Sequence, residues 1–139
     1  MFDLHEMFGF EKNLADQGMK MFLGADQEEY IQLKKLPNAD YRSALNRELR
    51  ASEAALASQD INVQNQVSDE IFARVMADTC VAGWGKKFGL KGKALPYSNE
   101  NVVKIFSDYP EFCQKCKAWA ENPRNYQHAV EVTPDQVKK

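Results

Sequence analysis

The sequence holds only two histidines, three cysteines, five prolines and seven glycines in 139 residues, and each scarcity closes off a class of function. His5 and His128 both lie near the chain ends. No serine stands in the G-x-S-x-G pattern of a nucleophile elbow. The plentiful carboxylates fall on polar helix faces, where solvation is their expected role, so no catalytic chemistry is expected. No apolar run approaches the roughly 18 residues that span a bilayer. The first residues, MFDLHEMFGFEKN, carry acids where a signal peptide carries lysines and lack its apolar core. The expectation is a protein that stays where it is made, with the odd set of Cys80, Cys113 and Cys116 as reduced thiols. Neither sign of charge dominates. Eighteen Lys and Arg face twenty Asp and Glu, for a net charge of −2. The pI is about 5.7. Nothing in that balance calls for nucleic acid or membrane as a partner.

What is present is the composition of an ordinary globular domain, 44% hydrophobic and 27% charged. One domain with one core is expected over residues 1–139. Residues 1–17 are mixed, without a clear period. Over 18–36, Met19, Met21 and Leu23 alternate with Lys20 and Phe22, and Tyr30, Ile31 and Leu33 follow a Gly24-Ala25-Asp26 turn. This predicts a β-hairpin. Pro37 ends it and Asn38 caps a helix over about 39–58, with Tyr41, Leu45, Leu49 and Leu56 on its buried stripe. A polar connection over 59–66 leads to a helix over about 66–82, capped by Ser68 or Asn65 and stopped at Gly83. Its two stripes, Val67, Ile71, Val75 and Phe72, Met76, Cys80, make it the most buried element. Ser98 caps a helix over about 99–108. Pro110 opens the last one, about 110–122, with Phe112, Cys116 and Trp119 along one face. The tail, about 124–139, is expected to be loosely held. The predicted fold is therefore α+β and mainly α: a small N-terminal hairpin followed by about four packed helices.

Residues 83–98, GWGKKFGLKGKALPYS, invite a phosphate-loop reading and fail it. Such a loop needs G-x-x-x-x-G-K-[ST] after a strand. Here Gly92-Lys93 precedes Ala94, Lys87 stands where the first glycine belongs, and the preceding segment has a helical pattern. Lysines interleaved with Trp84, Phe88 and Tyr97 suit nucleic acid in principle, but the acidic remainder of the chain argues against it. The expectation is a mobile surface loop with solubilising lysines.

Cys113 and Cys116 form a C-x-x-C, a spacing shared by redox motifs and zinc half-sites. A redox pair begins a helix after a strand, and no βαβ pattern surrounds this one. A zinc site would need Cys80 and His128 as stragglers rather than a second cluster. The i, i+3 spacing equally suits two small hydrophobes on a core face. No cofactor or metal is expected.

One stretch carries a resemblance. Gly83-Trp84, a spacer with Gly92, then Leu95-Pro96-Tyr97-Ser98 and Glu100-Asn101 before an apolar helix resembles the tail assembly chaperones of long-tailed, siphovirus-like bacteriophages. Upstream, Gly18 before a hairpin and Asn38-Ala39-Asp40-Tyr41 opening a helix fit as well, so the resemblance covers about residues 10–126. The lysine-rich loop departs from the family's acidic-Gly turn. In that family the helix ends in Gly-Trp, which would make Trp84, Pro96, Tyr97 and Ser98 structural residues, with Trp119 beside them. The resemblance implies a non-catalytic protein of the infected host's cytoplasm, absent from the finished virion. It would bind the largely helical tape measure protein, help the major tail tube protein assemble around it, and leave self-association into a homo-oligomer open. Candidate partner contacts are Arg42, Arg47 and Arg50 on one helix and Lys86, Lys87, Phe88 and Lys91 in the loop. Solvated surface is the competing reading of both sets. The alternatives are a structural tail or head-completion protein retained in the virion and, below it, a small thiol- or zinc-binding protein.

Overall fold

The computed structural model describes residues 1–127; His128 and the rest of the expected tail lie outside the described residues. The architecture is α+β and mainly α, as the patterning predicts. Strands β1 (Met19–Phe22) and β2 (Tyr30–Leu33) form the expected antiparallel hairpin, with Met21 opposite Ile31. Alternation places Met21, Ile31 and Leu33 in the core, while Lys20 stays outside. The connecting turn is held by its own carboxylates. Asp26 Oδ1 accepts from the Glu28 amide at 2.8 Å, and Glu29 Oε1 accepts from the Asp26 amide at 3.0 Å.

The hairpin gains a third strand that local pattern does not reveal. Residues Val81–Trp84 form β3, antiparallel to β2, with Ile31 opposite Trp84 and a bulge between Gln32 and Leu33. The helix expected to run to residue 82 therefore ends at Thr79. Extended backbone wins there because β2 offers an open edge. The Lys34 amide donates to the Cys80 carbonyl at 2.7 Å and the Gly85 amide to that of Tyr30 at 2.9 Å.

That helix, α5 (Ile61–Thr79), also starts earlier than the apolar stripes indicate. Asp60, rather than Ser68 or Asn65, caps it, accepting from the Asn62 amide at 2.9 Å. Its first turns are exposed, Ile61 and Val63 included, so no buried stripe marks them. Its second half is the centre of the core. Ile71, Val75, Met76 and Cys80 are buried there, which both expected stripes require.

Around α5 pack α3 (Ala39–Ala51), α6 (Asn99–Asp108) and α7 (Pro110–Glu121). Asn38 caps α3 by accepting from the Tyr41 amide, and Ser98 caps α6 by accepting from the Asn101 amide, at 2.8 and 3.1 Å. Both caps are those expected. The helix expected over 39–58 breaks at Ser52, beyond which lies the short α4 (Glu53–Leu56). Leu49, placed on the buried stripe by spacing, is 41% exposed, whereas Tyr41 and Ala44 are buried. Pro110 opens α7, where its missing N–H costs nothing.

Residues 1–17 and 123–127 are more ordered than their patterns suggest. Leu4–Phe8 (α1) and Lys12–Gln17 (α2) are short helices. After α7, Pro123–Tyr126 forms a 3-10 turn. Tyr126 is fully buried against Leu14, Ala15 and Trp119, and its hydroxyl donates to the Leu33 carbonyl at 2.9 Å. Residues 124–127 of the tail expected to be loosely held are thus anchored, and the rest of that expectation lies outside the described residues.

A candidate partner-binding cleft

The loop after β3 folds back on Trp84 instead of projecting into solvent. Trp84 and Phe88 stack with centroids 4.2 Å apart and planes at 14°. Tyr97 meets the indole edge-on at 5.4 Å. Trp84 Nε1–H donates to the Leu95 carbonyl at 2.8 Å, and the Tyr97 hydroxyl donates to that of Val81 at 3.2 Å. The buried indole and the 44% exposed Tyr97 each have a partner for the polar tip.

Between those anchors lies a small hairpin. Strands β4 (Gly89–Leu90) and β5 (Lys93–Ala94) pair antiparallel through a two-residue turn. Both turn residues have positive φ, 53° at Lys91 and 80° at Gly92, the pattern of a type I′ turn. The mobile loop expected here is therefore a structured β-turn. Its entry needs Gly85, since a Cβ there would lie 1.9 Å from the Glu28 carbonyl oxygen.

The seated loop, the β1–β2 turn and the α6–α7 junction enclose a cleft of about 410 Å³. Phe88 and Ile105, both buried, form its floor. Leu23, Leu90, Tyr109 and Phe112 form its walls, with Tyr109 44% exposed and Phe112 half-buried. Phe88, Phe112 and Phe106 continue inward as a chain of ring contacts at 6.1 and 5.8 Å. Glu29 and Lys87 stand at the mouth. Lys87 is ion-paired with Asp26 at 2.5 Å. That hydrogen bond holds the Asp26 carboxyl below its ordinary range and the ammonium of Lys87 above it. The polar groups of the mouth are thus satisfied from within the chain. No buried side-chain nitrogen or oxygen among the described residues lacks a hydrogen bond. What the cleft offers a visitor is apolar surface.

The expected contact residues divide. Lys87 and Phe88 line the cleft, but Phe88 is 8% exposed and serves as floor, not as a projecting contact. Lys86 and Lys91 are exposed beside it. Arg42, Arg47 and Arg50 are exposed on α3 and line no part of the cleft. Leu23, Leu90, Tyr109 and Phe112 were not singled out by sequence as contacts. Their signal is faint, because each belongs to a different local element. A second depression, of about 820 Å³, lies between α2 and the start of α3, with Lys12, Asp16, Lys34 and Asp40 in its lining. It is the more polar of the two, and Lys35 in it covers the Phe10 ring at 4.5 Å.

The cysteines belong to the core. Cys80, Cys113 and Cys116 are buried, and burial pushes the Cys80 and Cys113 thiols up to about 12, and Cys116 further in the same direction. A reactive pair requires the opposite shift. Among the described residues no group of three or more His, Cys, Asp and Glu is placed to hold a metal ion. The candidate straggler ligand His128 lies outside the described residues.

A family model described as YdaY prophage protein matches residues 36–139. Comparison with curated proteins and with solved structures finds no match. The matched span includes the Trp84 loop, α6 and α7, while Leu23 and Glu29 of the cleft precede it.

Proposed function

The chain belongs to the YdaY prophage protein family, and from that phage origin we propose a non-catalytic tail assembly chaperone that binds the tape measure protein through the apolar cleft. The cleft is the observation that carries this reading. A long, mostly helical partner with apolar stripes is insoluble until those stripes are covered. A groove walled by Leu23, Leu90, Tyr109 and Phe112 suits the row of side chains that such a helix presents at i, i+3 or i+4, and i+7. Repeated weak contacts along one rod would sum through avidity, so a single cleft of this size suffices. Lys87 and Glu29 are engaged within the chain, Lys87 by Asp26 and Glu29 by the Asp26 amide, which supports binding through the apolar walls over catalysis.

In this role the protein acts in the host cytoplasm, keeps the tape measure soluble while tail tube subunits polymerise, and leaves before the virion is finished. Co-expression with a tape measure fragment encoded by the same prophage tests it. The fragment should become soluble and co-purify with this chain, and mass spectrometry of purified particles should lack the chain. A fragment that is soluble alone and never co-purifies sinks the proposal. Finding the chain in particles favours a structural tail or head-completion protein instead.

A further inference from the structure

The margins of the cleft differ in charge, and the β1–β2 turn adds Glu29, engaged by the Asp26 amide, and Glu28, which accepts from the Lys86 amide at 3.3 Å. On the β4–β5 side stand Lys86, Lys91 and Lys93, all exposed and none ion-paired among the described residues. Lys93 is the register partner of Leu90, so the two side chains share a face of the hairpin, the face that walls the cleft. Lys91 occupies the turn beside Leu90. On the opposite side, exposed Asp108 and Glu111 adjoin the lining residues Tyr109 and Phe112. Lys87 contributes no free charge, because Asp26 neutralises it.

We propose that the occupant of this cleft is an amphipathic α-helix whose apolar stripe is flanked by acidic side chains where it meets the β4–β5 hairpin. A helix is favoured over an extended strand because the walls are side chains. The end of α6, the junction residue Tyr109 and the first turn of α7 supply Ile105, Tyr109 and Phe112 to the lining, and side chains presented by helices make the grooves into which a second helix packs. A nucleic acid is disfavoured because the lysines border an apolar trough and the far rim is acidic. Unpaired lysines at a rim steer and orient an acidic partner more than they hold it, so the effect depends strongly on salt. The inference rests on the cleft being the partner site proposed above, and adds the chemistry of what enters it.

Two synthetic helical peptides test it, with the same leucine stripe and either glutamates or lysines on the flanks. Fluorescence anisotropy with the full chain should show the glutamate peptide binding on the order of tenfold tighter at low salt. The gap should close near 1 M salt, where the Debye length is about 3 Å. A Lys86→Glu, Lys91→Glu, Lys93→Glu variant, confirmed as folded by circular dichroism, should invert the preference. Equal binding of the two peptides, or a preference unchanged in the triple variant, overturns the inference. So does an oligothymidine that outcompetes the glutamate peptide. Co-purification of the tape measure fragment is scored in parallel. A retained fragment with no glutamate-peptide binding overturns this inference alone. Peptide binding without the fragment overturns the chaperone reading and leaves the acidic-helix site standing.

Discussion

Trp84 lies flat on Phe88, 4.2 Å between ring centroids, and that stack joins the sheet to the floor of the cleft. The indole sits on β3, opposite Ile31 of β2, while Phe88 is the cleft floor. Stability and binding surface therefore share one aromatic contact.

Truncating the indole should cost both. Trp84→Ala removes a side chain that is 9% exposed and should destabilise the fold by about 3–5 kcal/mol in urea unfolding. Trp84→Phe keeps a ring but loses the bond to the Leu95 carbonyl, and should cost less, with about 1 kcal/mol from the hydrogen bond itself. Equal losses for the two variants would show that ring packing is not the main term.

The two glycines flanking Trp84 should respond oppositely to alanine. Gly85→Ala drives a methyl into the Glu28 carbonyl and should cost about 1–3 kcal/mol or unseat the loop. A Cβ at Gly83 meets nothing within 4 Å, and Gly83→Ala should be neutral or stabilise by up to about 1 kcal/mol. Thermal melts of the pair decide this.

Cleft binding should be separable from folding. Leu90→Glu and Leu23→Glu each place a charge on a wall residue that is already partly exposed. Stability should change by less than about 1 kcal/mol, since little buried area is lost. Retention of the tape measure fragment should fall at least tenfold, because the charge would be buried on binding. Arg42→Ala, Arg47→Ala and Arg50→Ala should leave retention unchanged. A loss at the arginines with none at the leucines would move the binding surface to α3.

Stability should fall on the alkaline side. The Cys80 and Cys113 thiols rise from 9.0 to about 12 on folding because burial disfavours the thiolate. The folded state therefore keeps protons that the unfolded state releases. Below pH 9 the stabilisation is complete, and it is lost as pH rises from 9 to 12, by up to about 1.4 kcal/mol per pH unit for each thiol. Urea midpoints at pH 8 and 10 measure the slope, and Cys113→Ala should reduce it. A midpoint that does not move would mean these thiols are solvated.

An acid-side change should be smaller. Arg74 holds the Glu48 carboxyl below its ordinary value through a 2.9 Å bond joining α5 to α3. That contribution is present at neutral pH and is lost as pH falls through the lowered folded value. Glu48→Gln should cost no more than about 1 kcal/mol, because the pair is partly exposed, 42% at Arg74 and 25% at Glu48. Denaturant unfolding at neutral pH would measure it.

What was legible in the sequence was local. Asn38 and Ser98 announce their helices because a side-chain oxygen reaches an amide three residues on. Pro110 marks a helix start, and the alternation of Met19 to Leu33 marks a hairpin closed by a short turn. The broad apolar surface of α5 identifies the core helix before any partner is known. These signals act over a few residues, so a linear pattern carries them.

The sheet's third strand and the cleft were decided by distance along the chain. Val81–Trp84 has the apolar pattern of a helix end, and only the free edge of β2, some fifty residues earlier, makes it a strand. Phe88 looks like an exposed loop residue until Trp84 offers it a ring to lie on. Leu23, Leu90, Tyr109 and Phe112 become one wall only when three separate connections converge. By itself the sequence determined where α3, α6 and α7 begin, which faces are apolar and that the fold is mainly helical. The tertiary structure alone decided which of those faces remain uncovered, because that depends on which distant surfaces fill each other first.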